Sequence, residues 1–222
     1  MSEQRRPVLV LAPHPDDETF GCGGTIRMLS ESGIPVDVAF MTCGEQGIEA
    51  GTTVSTDACR QMAEVRSREA RAACEVLGVR NVVFLHGSDT RLNEELHLAG
   101  PVAELLRVGG YQRVFCPWPQ DGHDDHRATF AILRQAIAQS QLTTSFWLYE
   151  VWKPLAPNTY VPIDGTMPAK RRAIEQYESQ LSQLNYREGF VGLAAYRSLF
   201  CPSSSFAEAF FVCDTNELLK LN

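Results

Sequence analysis

Short apolar runs alternate along this chain with longer amphipathic stretches. Residues 7–12 (PVLVLA), 36–41 (VDVAFM), 81–85 (NVVFL), 111–116 (YQRVFC) and 145–152 predict strands, and 209–213 predicts a late one. A brief run of this kind, without strict alternation, marks a strand covered on both faces, as in a parallel sheet. Helices are expected between them, over 25–32, 55–77, about 101–108, 125–139 and 169–184. Gly33 closes the first as a C-terminal cap. In the second, Met62, Val65, Ala72, Ala73, Val76 and Leu77 form the apolar side and Gly78 ends it. Two connections stand out: a loop punctuated by Gly44, Gly47 and Gly51, and a proline-rich excursion over 153–162. No repeat, low-complexity tract or linker interrupts the pattern, so residues 1–222 read as one domain.

Strands alternating with helices imply an α/β layered fold with a mainly parallel central sheet. Such sheets bind ligands beyond the carboxyl ends of their strands, at the point where strand order reverses. Two runs dense in imidazoles and carboxylates sit just after predicted strands: His14-Pro15-Asp16-Asp17-Glu18 and His123-Asp124-Asp125-His126. Each alone reads as a solvated turn or an acidic helix start. Their shared position at strand ends favours a single site.

Two histidines and one carboxylate hold a divalent metal while leaving a coordination position open. His14, Asp17 and His126 are assigned as the metal ligands, with Asp16 facing the water to be activated. His123 and His126 are three residues apart and share a face if a helical turn begins there. That leaves His123 to stabilise an oxyanion and Asp125 to fix an imidazole's tautomer. A set of two neutral imidazoles and a carboxylate suits zinc, with iron(II) or another divalent metal as alternatives. Zinc lowers the pKa of water towards about 7 and polarises a carbonyl. Hydrolysis of an amide or ester is the expected chemistry.

Composition narrows the class. A hydrophobic fraction of 44% with 21% charged residues is that of an ordinary globule. Twenty basic against 27 acidic residues, net −7, argues against nucleic acid as a partner. No stretch approaches the roughly 20 apolar residues of a membrane span, and the polar start lacks a signal-peptide core. A cytoplasmic location is expected. Seven cysteines at irregular spacing, with no Cys-x-x-Cys, favour small buried hydrophobes over disulfides or a thiolate site.

The motifs resemble the PIG-L/LmbE-like family of zinc-dependent N-deacetylases. The likeness rests on Pro-His-Pro-Asp-Asp-Glu at 13–18, Gly21-Cys22-Gly23-Gly24, Thr42-x-Gly44, Arg66 and Glu69, and 117–121 with His123-x-Asp125-His126. It weakens through Tyr149-Glu150, Lys170, Ser179-Gln180, Tyr196-Arg197 and Glu208. Pro13 replaces a frequent alanine and Asp124 a frequent proline, which bears on subgroup and not on the ligands. The resemblance implies a Rossmann-like three-layer fold and zinc on His14, Asp17 and His126. It also implies Asp16 as general base and His123, supported by Asp125, at the oxyanion. Arg66 and Asp89 are similar to sugar-contacting residues. Asp121 is included with them, and loop capping is the alternative for Asp89 and Asp121.

Trp118, five residues before the second histidine run, is the aromatic best placed to stack on a sugar. Trp147 and Trp152 lie in an apparent strand and read as core. His86 reads as a core or rim residue, His97 as a partly buried helix residue, and 170–172 as a solvated helix start. The expected substrate is a small N-acetyl amino sugar of N-acetylglucosamine type, free, conjugated or nucleotide-linked; homo-oligomerisation is left open. The competing readings are a zinc amidase for another amide such as a sugar–thiol conjugate, a non-haem iron(II) enzyme, and a non-catalytic sugar- or nucleotide-binding module.

Overall fold

The computed structural model describes residues 6–47, 55–139 and 144–221. Strands β1 (Val8–Ala12), β2 (Val36–Thr42), β3 (Asn81–Gly87), β4 (Arg113–Pro117), β5 (Ser145–Tyr149), β6 (Thr159–Pro162) and β7 (Ala207–Cys213) form one sheet. Their order is β3-β2-β1-β4-β5-β7-β6. The first five are parallel, and β7 runs antiparallel to both β5 and β6. Strand order reverses between β1 and β4, so both histidine runs leave the sheet beside that switch point.

The continuous apolar strands divide their side chains between two cores. Val8, Val10 and Ala12 of β1 face one layer, formed by α1 (Asp17–Glu31), α2 (Thr56–Leu77), α5 (Met167–Ile174) and α7 (Tyr186–Ser198). Leu9 and Leu11 face the other, formed by α3 (Ala99–Gly109), α4 (Asp124–Ala138) and α8 (Thr215–Leu218). This is the three-layer α/β architecture the sequence predicts. A four-residue helix, α6 (Glu178–Leu181), lies between α5 and α7. None of the described helices is long and apolar enough to cross a membrane.

Several elements differ from expectation for identifiable reasons. The first helix begins at Asp17, eight residues before the expected start at 25, and kinks at Cys22 (φ −145°, ψ 19°). Its glycines are there for packing. A Cβ on Gly21 would lie 2.2 Å from the Tyr149 ring, and one on Gly24 would lie 2.7 Å from Ile163. The kink frees backbone groups, and buried side chains from distant elements satisfy them. The Glu208 carboxylate accepts from the Gly24 and Thr25 N–H groups, both at 2.8 Å. Lys170 Nζ donates to Phe20 O (2.9 Å) and to Glu208 (2.6 Å). Lys170 is therefore a core residue, not part of a solvated helix start.

The helix expected over 169–184 is two pieces separated around Tyr177, whose ring is wholly buried. Strand β5 stops at Tyr149, leaving Trp152 beyond the sheet edge. The proline-rich excursion contributes β6 at the sheet's edge, where proline is tolerated. Gly51, expected in the second loop, lies outside the described residues. All seven cysteines are free thiols.

Candidate active site

The turn after β1 is built under backbone strain. Asp16 adopts φ 136°, a conformation that costs a non-glycine residue about 1–3 kcal/mol. Several groups hold it there. Its N–H donates to Glu18 Oε2 (3.2 Å), and its carbonyl accepts the Thr19 and Phe20 N–H groups that open α1. Thr42 fastens the entry to the turn, donating from both its N–H (3.1 Å) and its hydroxyl (3.0 Å) to Pro13 O. The strain turns Asp16 towards Arg66 while Asp17 points the opposite way, to the histidines. Arg66, on α2, donates to Asp16 Oδ2 (2.8 Å), Pro15 O (2.7 Å) and Gly44 O (3.2 Å).

Asp17 Oδ2 is the meeting point of the two runs. It lies 3.1 Å from His14 Nδ1 and 3.2 Å from His126 Nε2. On the far side of His14, Nε2 faces Asp125 Oδ2 (3.0 Å) and Asp89 Oδ1 (3.1 Å). A proton on Nε2 serves both carboxylates and leaves the Nδ1 lone pair aimed at Asp17. His126 is fully buried, and neither ring nitrogen has a hydrogen bond, although Asp17 and Asp121 stand 3.2 and 3.3 Å away. A neutral imidazole has one N–H and cannot serve a carboxylate at each end. A cation between His14 Nδ1, Asp17 Oδ2 and His126 Nε2 resolves this, so these residues fit a divalent metal. The ring nitrogens of His14, His123 and His126 also lie within 4.8 Å of one another, which brings His123 to the same centre. A second donor group there is His14 with Asp89 and Asp125.

The electrostatics follow from burial and crowding. Burial opposes a charged His14, but the carboxylates of Asp125, Asp17 and Asp89 outweigh it and hold its pKa well above the ordinary value. Burial likewise opposes ionised Asp17, yet His126 and His14 hold its carboxyl far below the usual range. Asp16 is shifted the other way: burial raises it well above normal despite Arg66, making it a stronger base than an exposed carboxylate. Burial pushes Glu18 up to about 7 even though Thr19 and Tyr177 donate to it, each at 2.5 Å. His123 is lowered by burial and by its two histidine neighbours, and so is held neutral.

His123 also caps α4. Its Nδ1 accepts the Asp125 N–H at 3.2 Å, which places the ring proton on Nε2 and makes that nitrogen a donor. A cleft of about 160 Å³ opens above these groups, lined by His14, Asp16, Asp17, Arg66, Asp89 and His123. Gln46, Gly47, Thr90, Trp152, Gln180 and Tyr186 complete it.

Most predicted residues converge here, with three corrections. The Asp125 carboxylate orients His14 and accepts the Thr90 and Leu92 N–H groups; only its backbone N–H reaches His123. Asp121 is buried outside the cleft, where it accepts from the backbone of His123 (3.0 Å) and Trp152 (3.1 Å) and backs His126, so it acts as a loop cap. Trp118 packs against the core beside α4, whereas Trp152, beyond the end of β5, lines the cleft. His86, near the end of β3, is exposed and 3.3 Å from Cys43 Sγ, and His97 is exposed where partial burial was expected. The sequence reading missed Glu18 as a brace of the turn. It named Gly47 and Gln180 without giving them a place at the site, and it missed Tyr186, at the start of α7.

A doubly wound α/β sheet with a histidine–carboxylate cluster that could hold a cation at its switch point is the class that fold and site define. The chain belongs to the PIG-L family (GlcNAc-PI de-N-acetylase), whose profile matches residues 9–137. A Bacillus cereus protein named "Probable N-acetyl-alpha-D-glucosaminyl L-malate deacetylase 2" is 31% identical over 137 residues, spanning 60% of this chain and 62% of its own length. The diacetylchitobiose deacetylase of Thermococcus kodakarensis is 29% identical over 194 residues, or 80% of this chain and 71% of that protein. The solved structure of N,N'-diacetylchitobiose deacetylase from Pyrococcus horikoshii superposes with a TM-score of 0.83 at 26% identity, covering 97% of this chain and 86% of that one. These relatives are named as deacetylases.

Proposed function

We propose that the chain is a zinc-dependent N-deacetylase. It would act as one domain to hydrolyse the acetamide of a small N-acetyl amino sugar of N-acetylglucosamine type, giving acetate and a free amine. The observation that carries this reading is the pair of unbonded, fully buried His126 nitrogens beside Asp17, at a cleft that Asp16 and His123 also line. The names of the relatives support the substrate class.

His14, Asp17 and His126 would hold the metal, which when bound supplies Lewis-acid polarisation and acidified water. Asp16, with one oxygen on Arg66 and its pKa raised by burial, takes a proton from the water attacking the acetyl carbonyl. His123 Nε2–H donates to the oxyanion that forms on the carbonyl oxygen. Asp16 then returns its proton to the nitrogen as the C–N bond breaks. Asp125 and Asp89 keep the His14 ring in place throughout.

The test is amine and acetate release from a panel of N-acetylated amino sugars and their conjugates. Zinc-loaded protein should release both, and chelation should stop it. Folded, zinc-loaded protein that releases neither from any member of the panel contradicts the reading.

A further inference from the structure

The turn that carries Asp16 is tied to a distant part of the fold through a single hydroxyl. Glu18, in the first turn of α1, is wholly buried, and its Oε2 reaches back to the Asp16 N–H at 3.2 Å, as the glutamate of a capping box does. Its other oxygen accepts two hydroxyls, those of Thr19 and Tyr177, both at 2.5 Å. Asp16 and Thr19 are neighbours in the chain and move with the turn. Among the described residues, Tyr177 is the one donor to this carboxylate from another element, 159 positions along the chain.

Tyr177 is itself fixed. It stands at the joint of α5 and α6, where its N–H donates to Ile174 O at 3.1 Å and its carbonyl accepts the Gln180 and Leu181 N–H groups, each at 3.0 Å. Its buried ring packs against Phe20, with centroids 6.1 Å apart. Nearby Ser179 is held to α2 by two bonds to Glu69, at 2.7 and 2.8 Å. The hydroxyl thus meets Glu18 from a rigid support.

The consequence falls on Asp16. A φ of 136° persists in a non-glycine residue only where the surroundings over-determine it. With Glu18 free to swing, the Asp16 N–H loses its acceptor and the residue relaxes, which draws its carboxylate off Arg66 Nη2 (2.8 Å). We propose that Tyr177 is a positioning residue: acting through Glu18, its hydroxyl holds Asp16 in the strained conformation from which it takes the proton. Tyr177 does not line the cleft, so this is its only route to the chemistry. The assignment rests on the reading of Asp16 as the base, and its test includes a measurement that needs no turnover.

The experiment compares zinc-loaded Tyr177→Phe, Glu18→Gln and the double variant with wild type by steady-state kinetics on N-acetylated amino sugars. Phenylalanine keeps the buried ring and removes only the hydroxyl. The control is Tyr111→Phe, which deletes another buried tyrosine hydroxyl, bonded to Asp37 (2.9 Å) at the amino-terminal end of the strands. Tyr177→Phe should lower kcat about 10- to 100-fold with KM and zinc content unchanged, as misplacement of a catalytic group does. Tyr111→Phe should leave kcat alone. The double variant should be no slower than Glu18→Gln, because the two residues act as one. In crystal structures, Asp16 should leave its positive φ or part from Arg66 in Tyr177→Phe and should keep both in Tyr111→Phe. An unmoved Asp16, a wild-type kcat for Tyr177→Phe, an equal loss in Tyr111→Phe or full additivity in the double variant overturns the proposal. If wild type releases no acetate, the deacetylase reading falls, and the position of Asp16 in the two crystal structures alone decides whether Tyr177 holds it.

Discussion

At the residue scale, the side chains of the first histidine run take their roles from neighbours the sequence does not show. His14, Asp16, Asp17, His123 and His126 were legible because two imidazole–carboxylate runs at strand ends have few bland explanations. Which imidazole Asp125 would steady, and whether Asp121 would meet substrate or cap the loop, were not legible, since both follow from which way a carboxylate turns near a helix start. Asp125 N–H caps onto His123, so its carboxylate is free to reach back to His14 and the loop after β3. The cap has a functional consequence: with Nδ1 accepting, His123 stays neutral with its proton on Nε2. His123→Ala should lower kcat about 10²- to 10³-fold with zinc content unchanged, as loss of an oxyanion donor requires. Steady-state kinetics alongside metal analysis check this; an unchanged kcat would remove His123 from the oxyanion.

At the element scale, central strands were read well because burial on both faces leaves an unmistakable apolar run. The helices suffered where glycine and proline carry tertiary information. Gly21 and Gly24 look like a loop, yet they let α1 pass close to Tyr149 and Ile163 while it kinks. The freed N–H groups are capped by Glu208, nearly the whole chain away, which no local pattern announces. Helix α7 was hidden by Gly189 and Gly192, where an added Cβ would meet nothing, and the structure gives no packing reason for either. The cap makes a stability prediction. Glu208→Ala removes it and strands the buried Lys170 charge, so unfolding free energy should fall by about 3–5 kcal/mol. Adding Lys170→Met should recover part of that loss. Urea denaturation of the single and double variants measures it, and a Glu208→Ala change within experimental error would mean that the pair is not what holds the kink.

At the scale of the whole molecule, topology does what no single motif can. Strand order reverses between β1 and β4, so the two histidine runs leave adjacent strands at the same edge and α2, α6 and α7 close the cleft around them. Both the layered fold and the position of the site followed from alternating strands and helices. The far wall did not, because Gln180 and Tyr186 reach the cleft only through the packing of the short α6 onto α2 and of the start of α7 onto β5's outgoing loop. The central claim is a division of labour in the first turn: Asp17 belongs to the metal and Asp16 to the proton. The most direct test is the zinc content of Asp16→Asn and His126→Ala proteins after equilibration with zinc and removal of excess. Asp16→Asn should keep zinc at the wild-type stoichiometry and His126→Ala should lose it. Equal depletion in both would show that the two residues share one role, and the division of labour would be wrong.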